Sequence, residues 1–115
     1  GIFKYRDDSN NMLFTLNNYE SSPFLPENMK SLTTHGVTFL LDVPRVAHGE
    51  RVFDQMTHLA KIFSNTLGGI MVDDNRVPLS DSGIQKSKQQ LIEIQTSMKK
   101  NHIDAGSASA MRLFV

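Results

Sequence analysis

The sequence predicts an α+β domain, in which an antiparallel sheet of short strands is covered from one side by amphipathic helices. Three observations carry this. Two apolar-rich runs, 2–6 and 12–16, flank the polar cluster Asp7-Asp8-Ser9-Asn10-Asn11, whose residue types favour turns. The stretch 36–43 alternates with the two-residue period of a strand. Residues 49–67 repeat apolar side chains at the three-and-four spacing of one helical face. With 115 residues and 39% hydrophobic content, the chain can bury one core and has little surplus for a second domain.

Taken in order, runs 2–6 and 12–16 form a hairpin. From 17 to 35 the chain is irregular, because Pro23 and Pro26 limit regular pairing, and 26–30 can form one helical turn. The clearest strand follows at 36–43 and is ended by Pro44. Val37, Phe39, Leu41 and Val43 point to one face, a core face, and Thr38, Leu40 and Asp42 to the other. That second face is unusual, since Leu40 sits between a hydroxyl and a carboxylate.

A helix spans 49–67. Val52, Phe53, Met56, Leu59, Ala60, Phe63 and Leu67 form its apolar face, opposite Asp54, Gln55, His58 and Lys61, and Gly68-Gly69 supplies the stop. Residues 70–72 read as a short buried strand, 73–76 as its turn and 77–79 as a brief return strand. Ser80 or Asp81 then caps a last helix reaching about His102, with a thinner apolar stripe of Ile84, Leu91, Ile94 and Met98. The small residues from Ala105 to Ala110 read as a flexible linker, so the domain is placed at 1–103 and a flexible tail at 104–115. The apolar end Met111-Arg112-Leu113-Phe114-Val115 is a candidate for strand swapping or self-association.

Composition narrows the function classes. Twelve basic residues balance twelve acidic ones with no basic run, so the electrostatic footprint of a nucleic-acid binder is lacking. With no cysteine, thiolate catalysis, disulfides and cysteine zinc sites fall away, in keeping with a small intracellular domain. No apolar run approaches the roughly 20 residues of a membrane helix, and no signal peptide is visible. The start at Gly1 fits a piece of a longer protein.

Asp73 and Asp74 are the residues that most suggest chemistry. As strand neighbours they would face opposite ways and could not converge on one metal, whereas Asp and Asn readily bond their own backbone in turns. The turn is the preferred reading. His35, His48, His58 and His102 lie in different elements without ligand spacing. No serine sits in a Gly-x-Ser-x-Gly elbow, and Gly68-Gly69 follows a helix and precedes a strand, the reverse of a phosphate-cradling order. No motif calls for a metal or cofactor.

Four segments carry a resemblance. Met12-Leu13-Phe14-Thr15-Leu16-Asn17-Asn18, Pro26-Glu27-Asn28-Met29-Lys30, Thr33-Thr34-His35-Gly36-Val37-Thr38-Phe39 and the run from Gly68 to Arg76 are similar in letters, order and spacing to the C-terminal domain family of ZipA, a bacterial cell-division protein. The similarity covers about 2–98. It implies a split βαβ fold, an antiparallel sheet with helices on one face and the other face open. It also implies binding of the C-terminal peptide of FtsZ, the tubulin-like ring-forming GTPase, in a shallow apolar groove on that open face. Members begin with a further strand and helix, so this chain is expected to lack the first family strand and helix.

Carried over by position, the family's groove strand falls on Thr38, Leu40 and Asp42, with Leu40 where the family has a central aromatic contact. The neighbouring strand contributes Thr15, Asn17 and Tyr19. Phe3 and Tyr5 are added across a gap at the 7–11 turn, where a slip of one residue would send both to the other face. The implied function is an adaptor, not an enzyme, that helps tether the division ring at the septum on the cytoplasmic face of the inner membrane, with the membrane anchor upstream and no direct membrane contact by this domain. Two alternatives stand beside it: an RNA-recognition-like module, built on a sheet with one open face, and a metal-dependent enzyme using Asp73 and Asp74.

Overall fold

The computed structural model describes residues 3–19 and 36–114. The chain divides into two compact units, Gly1–Asp42 and Val43–Val115. Its strands and helices make it an α+β protein.

The described residues of the first unit form a three-stranded antiparallel sheet in the order β1 (Phe3–Arg6), β2 (Met12–Asn18), β3 (Val37–Leu40). The hairpin forms where the polar cluster predicts it. Asp7 organises the turn: its Oδ1 accepts the backbone N–H groups of Ser9 and Asn11, each at 2.9 Å, and its Oδ2 accepts from Asn11 Nδ2 at 3.2 Å. Asn10 takes the left-handed conformation that asparagine tolerates, at φ 66. These bonds hold the Asp7 carboxyl below its ordinary pKa of 3.8, the Asn11 backbone N–H first and its side chain next.

β2 runs two residues beyond the expected end, because Asn17 and Asn18 pair with Thr38 and Val37. Their weak strand propensity is overridden by a partner strand. β3 is shorter than expected. It stops at Leu40, and Val43–Arg45 forms a 3₁₀ turn, for which the fixed φ and missing N–H of Pro44 are better suited than for a ladder. The unit's core is aromatic. Phe14 is buried, Tyr5 stacks on it at 4.7 Å between ring centroids, and Phe39 tilts against it at 6.3 Å.

The second unit contains α1 (Gly49–Leu67), α2 (Asp81–Lys100) and α3 (Ala108–Leu113). α1 has the predicted bounds. It ends because Gly68 turns left-handed at φ 67 and returns its N–H to the Ser64 carbonyl, which Gly69 N–H also reaches at 2.8 Å. Val52 and Phe53 are buried, but Leu67, at the C-terminal end of the predicted apolar face, is 73% exposed. α2 is capped by Ser80, whose Oγ accepts from Gly83 N–H at 3.1 Å. Of its predicted stripe, Leu91 and Met98 are buried and Ile84 half-buried, whereas Ile94 is exposed. Lys88 Nζ meets Asp54 Oδ2 at 2.9 Å, joining α2 to α1.

Two expectations need correction. Residues 70–72 are not a buried strand, since Ile70 is 78% exposed and only an isolated bridge joins Val72 to Pro78. Pro78 cannot donate to a ladder, and Gly68-Gly69 cuts the segment short on the other side. Nor do residues 105–110 form an unstructured linker. Ser107 Oγ caps α3 by accepting from Ala110 N–H at 3.2 Å, and Ala110 has no exposed surface. The small residues serve close packing instead. A Cβ on Gly106 would stand 2.5 Å from Ala47 N, and Gly106 N–H bonds the Pro44 carbonyl at 3.0 Å.

The expected helical turn at 26–30 and the segment 33–35 lie outside the described residues. No helix among the described residues is long and apolar enough to cross a membrane.

Candidate functional site

In an antiparallel ladder, directly opposed residues project from the same face, so the register sorts the predicted site residues. Thr15 pairs with Leu40 and Asn17 with Thr38. These four therefore share one face, as the alternation of residues 36–43 predicts. Tyr19 extends the same alternation by one position, its backbone N–H donating to the Gly36 carbonyl at 2.9 Å. Its side chain lies over the glycine, whose missing Cβ would stand 3.2 Å from Tyr19 Cβ. Asp42 lies beyond the end of β3, exposed and outside the ladder.

Phe3 and Tyr5 do not join this group. Phe3 pairs with Leu16 and Tyr5 with Phe14, which places both on the opposite face, among the aromatic side chains. The register shift between Tyr5 and Arg6, next to the Asp7 turn, decides this. In their place the ladder brings Lys4, directly opposite Thr15. Alternation alone could have found Lys4 only with the hairpin register already known.

The resulting face is neutral and polar at Thr15, Asn17 and Thr38, and cationic at Lys4. Apolar area is offered by Leu40, which is 62% exposed, and by Tyr19, which is exposed as well. Such a face has no constellation for bond-making chemistry. It can desolvate an apolar side chain over Leu40 and Tyr19 and hydrogen-bond a ligand through hydroxyl and amide groups.

Asp73 sits in a turn. Its Oδ1 accepts the backbone N–H groups of Asn75 at 2.8 Å and Val77 at 3.0 Å, and its N–H donates to the Val77 carbonyl at 2.9 Å. Arg76 completes the turn at φ 63. The carboxylate thus has a structural occupation, which is the preferred sequence reading. Among the described residues no three His, Cys, Asp or Glu side chains gather as a metal-holding group. A separate open depression of about 680 Å³ lies in the second unit, lined by Ile94, Met98, Ile103 and Phe114 among others. The exposed Ile94 is part of its lining, and it contains none of the predicted site residues.

The profile of the family described as "ZipA, C-terminal FtsZ-binding domain" matches residues 1–90. The cell division protein ZipA of Ectopseudomonas mendocina is 27% identical over 85 residues, covering 73% of this chain and 31% of the relative. ZipA of Marinobacter nauticus is 25% identical over 83 residues, with 72% and 25% covered. ZipA of Stutzerimonas stutzeri is 29% identical over 85 residues, with 73% and 31% covered. The chain therefore spans about a third or less of the length of these relatives. No solved structure matches it significantly.

Proposed function

The chain belongs to the family of the ZipA C-terminal FtsZ-binding domain, and from that premise we propose that it is a cell-division adaptor that binds the C-terminal peptide of FtsZ on the sheet face carrying Thr15, Asn17, Tyr19, Thr38 and Leu40. In this role it helps tether the FtsZ ring to the inner membrane during septation.

The observation that carries the reading is Leu40. A leucine exposed on a strand face, with hydroxyl and amide neighbours and Tyr19 on the same side, gives a peptide an apolar place to anchor. Asp42 borders the surface at the end of β3. Affinity rests on a few apolar anchors over a small area, so it is on the order of micromolar. The domain acts by binding and catalyses nothing.

The test is titration of the isotopically labelled chain with an FtsZ C-terminal peptide. Amide shifts confined to 15–19 and 38–42 support the reading. Saturable binding with no shifts in either segment overturns the site, and no binding at all overturns the function.

A further inference from the structure

We propose that Lys4 reads a carboxylate on the bound peptide, so that the surface selects an extended ligand with an acidic side chain two or four residues from its apolar anchor. This rests on the peptide-binding reading above and adds the chemistry of the ligand.

The register carries the argument. Lys4 opposes Thr15, and Thr15 opposes Leu40, so the three side chains form one row across β1, β2 and β3 on a single face. Neighbouring strands lie about 4.8 Å apart, which separates the Lys4 and Leu40 backbones by about 10 Å. An extended peptide crossing the strands along this row rises about 3.3 Å per residue. Its side chains return to the sheet at every second position, so residues two or four from the anchor face Lys4. The flexible four-carbon stem of lysine reaches either one.

The charges fix which cation is used. β1 carries two. Arg6 Nη1 donates to the Asn10 carbonyl at 3.0 Å and is engaged in the hairpin turn. Lys4 is exposed, and no ion pair among the described residues involves it. Its neighbour in the row, Thr15, is neutral. Asp42, exposed past the end of β3, lies toward the opposite edge of the sheet from β1 and disfavours a ligand carboxylate there. The two charges together orient the peptide, with its acidic residue over β1 and its anchor over β3.

The experiment compares the unaltered chain with Lys4→Gln, Lys4→Glu, Lys4→Arg and Leu40→Asp. Each is titrated with an FtsZ C-terminal peptide at low and high salt, and with peptides in which each carboxylate in turn is changed to its amide. Lys4→Gln is expected to weaken binding about 2- to 5-fold and Lys4→Glu about 10-fold, both flattening the salt dependence, while Lys4→Arg binds normally. One carboxylate-to-amide peptide should lose the same factor against the unaltered chain and nothing further against Lys4→Gln. If Lys4→Gln and Lys4→Glu bind like the unaltered chain at both salts while Leu40→Asp does not bind, the role of Lys4 is overturned and the surface stands. If Leu40→Asp also binds normally, the surface reading falls and takes this inference with it.

Discussion

Leu40 lies directly across the β2–β3 ladder from Thr15, an exposed leucine paired with a half-buried threonine on the same sheet face. Leu40→Asp replaces the apolar anchor with a charge at a site already open to water. Peptide affinity should fall at least 10-fold, because an anchoring side chain contributes about 1.5–3 kcal/mol when covered. Folding stability should change by less than about 1 kcal/mol, the usual range for an exposed strand position. Calorimetric titration and thermal denaturation of the same preparation separate the two effects.

Tyr19 depends on Gly36 for its place. A Cβ at Gly36 would stand 3.2 Å from Tyr19 Cβ, tighter than ordinary contact, and would touch its Cγ at 3.5 Å. Gly36→Val should displace the ring and weaken peptide binding with the sheet intact, and Tyr19→Ala should weaken it to a similar degree. The two losses should not add in the double variant, since both act through one side chain. Amide shifts of β2 and β3 report whether the ladder persists.

Gly106 is the position least able to accept a side chain. Its φ is 77, and a Cβ would meet Ala47 N at 2.5 Å, a backbone atom that cannot turn aside. Gly106→Ala should destabilise the second unit by about 1–3 kcal/mol and loosen α3 from the Val43–Arg45 turn. Urea denaturation measures the loss, and amide exchange at Ala110 and Met111 localises it.

Asp7 makes the β1–β2 turn sensitive to acid. Its folded pKa is lowered by the hydrogen bonds it accepts, so its contribution is complete above the ordinary value of 3.8 and is lost as pH falls through the lower folded value. Turn amide shifts at Ser9 and Asn11 should hold steady down to about that value and change below it. In Asp7→Asn the acid-dependent change should vanish.

Ser80 provides a control distant from the binding face in sequence. Ser80→Ala removes the acceptor for Gly83 N–H and should cost about 1 kcal/mol. Peptide affinity should be unchanged, as measured by the titration used for Leu40→Asp.

Much of the fold was legible because it rests on local pattern. The bounds of α1 follow from apolar spacing and from Gly68, and the hairpin follows from Asp7 and Asn10, whose side chains and backbones make the turn. The stretch from Gly68 to Arg76 was most easily misread. Its turn follows from Asp73, but the apolar letters Ile70 and Val72 suggest burial, and both are exposed because only an isolated bridge to Pro78 pairs the segment. Likewise, the Ala and Ser residues around Gly106 look like a linker by composition. They belong to a packed helix, because small size is as useful for close approach as for flexibility.

The candidate face divides in the same way. Thr38, Leu40 and Asp42 were marked by the alternation of a single strand, which follows from the two-residue period of any extended chain. Exchanging Phe3 and Tyr5 for Lys4 required the register between two strands. By itself the sequence determined the type and approximate position of most elements and the polarity of each strand face, since these depend on neighbours within a few residues, and it determined the family through the order and spacing of four segments. Tertiary structure decided which faces coincide, where β3 ends and what α3 packs against. Those outcomes depend on pairings between residues distant along the chain, and one register shift beside Arg6 is enough to turn two aromatic rings from one side of the sheet to the other.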